Sequence, residues 1–230
     1  MSDFSRILSL ENGPVQYESV QSWFGANSMK MRNHNFPYSI TETEFEFLKD
    51  LIIMYDLKSG YEVATAFGVS SIGIGLGFKQ TGGKLVTMDA YIEEDSGDCE
   101  SYQDYSPSVY EDMDGYKSAN FLIKEFSLEE NVFLEVGWSP NDTETAIKKH
   151  ISTPLDFIFI DGGHFPNQVV DDISSIVPLL GEKYIIAFHD MYPDIFDSSV
   201  KDYIKSTFGE HVQIVVPEPY GYNLSIIMNV

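Results

Sequence analysis

One cysteine, Cys99, stands in 230 residues, so no disulfide can close within the chain and nothing points to an oxidising compartment. It lies in a polar, acidic stretch and reads as a solvated bystander thiol. Basic residues are also scarce: 14 Lys and Arg face 36 Asp and Glu, for a net charge of −22. That charge repels phosphate backbones and anionic lipid surfaces at long range, and no stretch gathers enough Lys and Arg to offset it locally. Nucleic acid is therefore excluded as an expected partner, and a small neutral or cationic molecule fits better. No apolar run approaches the roughly 20 residues a membrane-spanning helix requires. The opening MSDFSRILSLENG lacks the charged start and apolar stretch of a secretory signal. We expect a cytoplasmic protein with no membrane partner.

Apolar material is ample, at 43% hydrophobic and 14% aromatic residues, which is enough to offset chain entropy over most of the length. The length suits one large domain with an appended segment. From Lys58 onward, short β-rich runs alternate with amphipathic stretches, the pattern of a mostly parallel sheet covered on both faces. Strands are expected over 61–65, 84–89, 132–136, 156–161, 184–189, 211–216 and 224–228. The last two are joined by EPYGYN, a link short enough to make them antiparallel neighbours. The fold class is thus α/β: a doubly wound, Rossmann-like, seven-stranded sheet with an antiparallel last strand. Helical stripes are formed by Phe45, Leu48, Leu51, Ile52 and Tyr55 behind a Thr41/Glu44 capping box, and by Val169, Ile173, Ile176, Val177 and Leu180. A third comprises Val200, Tyr203, Ile204 and Phe208, with Asp197 as N-cap.

Two segments stand outside this alternation. Residues 1–40 read as an N-terminal cap or substrate segment ahead of a domain at 41–230, and MKMRNHNFPYS within them holds most of the local positive charge. Residues 91–116 form an acidic insertion with five tyrosines, which suits either a lid or substrate wall or a merely mobile loop.

Four stretches carry chemistry. YEVATAFGVSS is a strand ending in a tight turn that opens a helix near Gly68, where free N–H groups attract a carboxylate or phosphate. Gly73, Gly75 and Gly77 further along read as close helix–sheet packing. In KLVTMDAY, Asp89 ends a strand 27 residues after Glu62, where a carboxylate can accept both hydroxyls of a ribose. DFIFIDGGHF and KYIIAFHDMYP end strong apolar strands, and in an open α/β sheet that edge binds ligands. Asp161, His164, His189 and Asp190 would converge there, an oxygen-rich set suited to Mg²⁺ or another hard divalent ion. Each position also has a plain reading: Asp-Gly-Gly is an ordinary turn, and His-Asp can simply end a strand and cap a helix. Their placement in register with Glu62 and Asp89 favours the functional one.

The order of these motifs resembles the class I S-adenosylmethionine-dependent methyltransferases, notably the small-molecule and sugar O-methyltransferase branch with a catechol O-methyltransferase-like core, over roughly 41–230. Glu62, Ala64, Gly68 and Ser70 occupy the places of that family's first-strand motif, with Ala64 standing where glycine is usual. The resemblance implies that Glu62 and Ser70 help hold the methionine end of S-adenosylmethionine, and that Asp89 holds the ribose. Trp138 and Ser139 would flank the adenine, and Asp161 would border the cofactor. It also implies Asp161, His189 and Asp190 as metal ligands, His189 replacing a usual Asp, and His164 as catalytic base together with Asp161. The activity it implies is metal-assisted methyl transfer to a hydroxyl of a small acceptor, sugar-like acceptors among them, whose identity the sequence leaves open. A binding or scaffolding protein that kept the fold without catalysis is the alternative, motivated by Ala64, Ala66 and the acidic, tyrosine-rich insertion. A nicotinamide-dependent oxidoreductase fits less well, because the glycine spacing is wrong for it. A homo-oligomer is allowed but not specified.

Overall fold

The computed structural model describes residues 40–91, 115–163, 165–190, 197–209, 214–215 and 224–230. In chain order the elements are α1 (Glu42–Met54), β1 (Ser59–Val63), α2 (Val69–Thr81), β2 (Lys84–Asp89), α3 (Gly115–Glu125), β3 (Val132–Val136) and α4 (Thr143–His150). There follow β4 (Leu155–Ile160), α5 (Pro166–Ile176), β5 (Leu180–His189), α6 (Ser198–Phe208), β6 (Ile214–Val215) and β7 (Leu224–Asn229).

The strands form one seven-stranded sheet in the order β3-β2-β1-β4-β5-β7-β6. Strands β1 to β5 pair in parallel, and β7 runs antiparallel to both β5 and β6. The doubly wound architecture expected from the alternation is therefore the one observed. The chain moves outward from β1 to β3 and then returns to lay β4 against the other side of β1, so the strand order reverses between β1 and β4. Such a reversal opens a crevice beyond the carboxyl ends of the strands.

Both sheet faces are buried, which explains the near-continuous apolar strands. Phe157 and Phe159 of β4 face a core shared with Phe45, Leu48, Leu51 and Ile52 of α1 and Ile72 and Phe78 of α2. Ile158 and Ile160, pointing the other way, pack with Val169, Ile173 and Ile176 of α5 and Val200 and Ile204 of α6. The expected caps are present: Thr41 and Glu44 form a reciprocal capping box on α1, and the Asp197 carboxylate accepts from the N–H groups of Ser199 and Val200.

Strand β4 lies one residue earlier than expected and β5 begins at Leu180 rather than Tyr184, and three further differences have a visible cause. Strand β1 starts two residues earlier because the Asp156 carboxylate accepts from the N–H groups of Lys58 (2.7 Å) and Ser59 (2.9 Å), and it ends at Val63 because Ala64 turns left-handed at φ 71°. The stripe expected to reach Leu180 breaks at Ile176. Pro178 supplies no N–H for continuing the helix, a single 3₁₀ turn follows over Val177–Leu179, and Leu180 already begins β5. Finally, two of the three α2 glycines serve helix–helix rather than helix–sheet packing. A Cβ on Gly77 would stand 2.9 Å from the Lys49 carbonyl oxygen, and one on Gly73 would stand 2.8 Å from the Phe45 ring, both on α1; Gly75 faces Val132 of β3. The last-strand pair is antiparallel as expected, although only Ile214–Val215 of the predicted 211–216 strand lies among the described residues. No helix among the described residues is long and apolar enough to cross a membrane.

Candidate active site at the carboxyl edge of the sheet

Among the described residues six non-glycine residues adopt positive φ, and four of them, Ala64, Ala66, Tyr91 and Asp190, follow the carboxyl ends of β1, β2 and β5. A left-handed non-glycine residue costs on the order of 1–2 kcal/mol, and such strain gathers where function over-determines the backbone. With Gly68 at φ 88°, three left-handed residues fall within the five-residue turn from Ala64 to Gly68. The glycine-like bend is thus kept at Ala64 despite its Cβ.

The Asp89 carboxylate ties this turn to the end of β2. Its Oδ2 accepts from the N–H of Ala66 at 2.9 Å and its Oδ1 from the N–H of Tyr91 at 3.0 Å. Asp89 is buried, at the strand end expected for a ribose-binding carboxylate.

Beneath the turn lies a polar island. Glu62 is fully buried and its two carboxylate oxygens each accept one hydroxyl, that of Ser70 at 2.5 Å and that of Ser71. Thr87, opposite Glu62 in the parallel register, hydrogen-bonds Thr65 at 2.6 Å. Burial raises the Glu62 carboxyl to about 7, against the hydrogen bonds from Ser70, Ser71 and Thr87 that favour its ionised form; the charge of Asp161 adds to the rise. Glu62 and Ser70 are thereby brought together as the motif implied, with the serine hydroxyl held by the carboxylate at the N-terminus of α2, where an anion is favoured.

After β3, Trp138 is 42% exposed and Val136 62% exposed, an apolar rim at the sheet edge. The Asp142 carboxylate accepts from the Trp138 N–H at 2.9 Å. Ser139 turns inward and donates to Asp172 of α5, while Thr143 bridges Ser139 (3.3 Å) and the Tyr61 hydroxyl (3.2 Å). Burial pushes the Asp172 carboxyl up to about 6 even though Ser139 favours its charge.

The ends of β4 and β5 supply the second group. Asp161 donates its N–H to the Val63 carbonyl at 3.3 Å, which fixes it beside the end of β1. Nδ1 of His189 lies 3.1 Å from Asp161 Oδ1 and 3.4 Å from Asp190 Oδ2. One ligand atom from each of these residues falls within 4.8 Å of the other two, and no other described residue joins them in such a cluster. His189 is buried, whereas the side chains of Asp161 and Asp190 keep 18% and 30% of their surface exposed, so the cluster opens outward through its carboxylates. Burial alone would lower the imidazole, but the Asp161 charge and the contacts with Asp161, Asp190 and Glu44 outweigh it and raise its affinity for a proton. Two carboxylates and one imidazole, with room on the open side for oxygen ligands, fit a divalent cation such as Mg²⁺ or Mn²⁺. Of the four residues expected to converge, these three do; His164 lies outside the described residues, as does nearly all of the 91–116 insertion.

Sequence reasoning assigned Glu44 a capping role and nothing more, yet its Oε2 stands 3.5 Å from Nε2 of His189. The link from Ser139 through Thr143 to Tyr61, and Asp172 on the other side of Ser139, were likewise missed, since isolated polar residues in separate elements carry no spacing signal.

A family profile described as "Methyltransferase domain" matches residues 62–191, which is 130 of 230 residues and includes the carboxyl ends of β1 to β5. Among solved structures, an O-methyltransferase from Bacillus cereus in complex with SAH is similar at 17% identity with a TM-score of 0.64, covering 98% of this chain and 96% of that one. The O-methyltransferase TomG from Streptomyces achromogenes, involved in tomaymycin synthesis and bound to SAM, is similar at 15% identity with a TM-score of 0.64, covering 99% and 95%. A SAH-bound methyltransferase from Podospora anserina is similar at 13% identity with a TM-score of 0.64, covering 97% and 92%.

Proposed function

The chain belongs to the methyltransferase-domain family, and on that premise we propose that it transfers a methyl group from S-adenosylmethionine to a hydroxyl of a small, polyhydroxylated acceptor, assisted by a divalent cation. The observation that carries this reading is the pairing of two groups across the strand-order reversal: the strained Ala64–Gly68 turn with Asp89 on one side, and the Asp161, His189 and Asp190 cluster on the other. The first has the build of a nucleoside site and the second of a hard-cation site.

In this reading Asp89, whose carboxylate ties the Ala64–Gly68 turn to the end of β2, receives the ribose hydroxyls. Glu62 acts through Ser70, whose hydroxyl it holds near the α2 N-terminus where the methionine end would lie. Trp138 offers an exposed ring face to the adenine, beside Ser139. Asp161, His189 and Asp190 would hold the cation, which when bound lowers the pKa of a chelated acceptor hydroxyl. His164, three residues beyond Asp161, serves as the base: a neutral imidazole takes the hydroxyl proton near pH 7. The acceptor oxygen then forms a bond to the methyl carbon as the carbon–sulfur bond breaks. Sulfur keeps that electron pair and His164 keeps the proton. Positioning of the two reactants in line supplies much of the rate.

The assay is transfer of labelled methyl from S-adenosylmethionine to a panel of catechols and polyhydroxylated sugars, with Mg²⁺ and with a chelator. Label in an acceptor that disappears with chelator supports the proposal. Transfer unaffected by chelator removes the cation from it, and absence of transfer to every hydroxylated acceptor alongside transfer to an amine or thiol would move the chemistry off oxygen.

A further inference from the structure

Glu44 sits on α1, away from the strand ends that supply the cluster, and is 1% exposed. Its Oε2 accepts the N–H and the hydroxyl of Thr41 at 2.6 and 2.8 Å, which completes the capping box. The same oxygen faces Nε2 of His189 at 3.5 Å. Nε2 is sealed from solvent and has no hydrogen-bond partner among the described residues, so the nearest acidic group is the only compensation available to it there. The ring is held on another side by Phe159, edge-on at 6.2 Å between centroids. The opposite nitrogen, Nδ1, faces Asp161 and Asp190.

A capping box explains an acceptor at this position, but glutamine would serve a cap as well as glutamate. It does not explain why the acceptor is a buried carboxylate set against an imidazole. A neutral imidazole carries one N–H, and the partner of one nitrogen decides which nitrogen is left to bind a metal. We infer that Glu44 is a positioning residue for His189: its carboxylate, fixed by the Thr41 cap, faces Nε2 and so turns the Nδ1 edge of the ring towards Asp161 and Asp190. The consequence for cation affinity rests on the cation reading proposed above; the orientation of the ring does not. Because Thr41 adjoins residues 1–40, the same carboxylate also ties the start of the domain to the cluster.

The full chain is titrated with Mn²⁺ by calorimetry and by electron paramagnetic resonance, comparing wild type with Glu44→Ala, Glu44→Gln and Thr41→Ala. In parallel, the ¹⁵N resonances of His189 report whether the ring keeps its setting in the metal-free protein. Loss of a partner beyond the ligands typically weakens metal affinity by about 10- to 100-fold, which is the drop expected for Glu44→Ala. Thr41→Ala removes a cap hydroxyl but leaves the carboxylate, and its Mn²⁺ affinity is expected within about twofold of wild type, the scatter a residue outside the ligands and their partners leaves, although its Tm falls by a few degrees like that of Glu44→Ala. Glu44→Gln, whose amide oxygen still accepts from Nε2–H, is expected to recover part of the loss. A change in the His189 ring resonances of Glu44→Ala that Glu44→Gln largely reverses supports the inference. Equal Mn²⁺ affinity with unchanged ¹⁵N resonances overturns it, as does Thr41→Ala weakening Mn²⁺ as much as Glu44→Ala. A wild type that binds no Mn²⁺ sinks the cation reading instead, and the ¹⁵N comparison still decides the role of Glu44.

Discussion

Replacing Glu62 by glutamine isolates the most deeply buried acid of the site. The folded protein holds the Glu62 proton up to about pH 7, whereas an ordinary glutamate releases it at 4.5. Between those values the folded state binds more protons than the unfolded chain, so stability falls as pH rises through the window. Below 4.5 both states are protonated and the acid imposes no penalty; above about 7 both are ionised and the penalty is complete. Each tenfold change in proton affinity is worth about 1.4 kcal/mol, which puts the full penalty at roughly 3 kcal/mol. About 2 kcal/mol of it develops between about pH 5.5 and 8, by the same linkage relation. Glutamine fills the same space, accepts one serine hydroxyl and donates to the other, and cannot ionise. Urea unfolding of both proteins at the two pH values is therefore expected to show the stability of Glu62→Gln relative to wild type rising by about 2 kcal/mol from the lower to the higher pH. Parallel pH profiles would refute the reasoning, because they would mean that Glu62 titrates alike folded and unfolded.

Three further outcomes follow from the same geometry. Gly77→Ala would press a methyl group to 2.9 Å from the Lys49 carbonyl and is expected to lower stability by about 1–3 kcal/mol in denaturant unfolding. Ala64→Gly relieves a left-handed alanine at φ 71° while adding chain entropy, so the two terms nearly offset; unfolding is expected to register a change within about 1 kcal/mol, whereas Ala64→Val loses more. His164→Ala is expected to lower kcat by about 10²- to 10⁴-fold with little change in cofactor affinity, measured by steady-state kinetics on the acceptor that the labelled-methyl screen identifies.

The architecture was legible because the strands are apolar on both faces and their limits are marked chemically. Asp89 and Val136 close β2 and β3 where the sequence expected, and the Thr41 and Asp197 caps locate two helices at their first turns. The boundaries that shifted were set by contacts across the sheet, such as Asp156 reaching Lys58 and Ser59, 98 and 97 residues away in the chain. The cluster was readable in part for the same reason. Asp161, His189 and Asp190 end adjacent parallel strands, and register alone brings them together. Glu44 and Asp172 were not readable, because a helix face meets a strand end only through the packing of α1 and α5, which leaves no spacing pattern in the chain. The role of Ala64 was half legible: the sequence showed the missing glycine, and only the backbone shows that the left-handed turn survives without it.

Calorimetric titration of wild type and Asp89→Asn with S-adenosylmethionine tests the central claim most directly. Wild type should bind one equivalent, and Asp89→Asn, which keeps the shape but loses the charge that would receive the ribose hydroxyls, should bind about 10- to 100-fold more weakly while staying folded. A wild type that gives no binding heat at millimolar cofactor, or an Asp89→Asn protein that binds as tightly as wild type, would contradict the assignment of this sheet edge as the methyl-donor site.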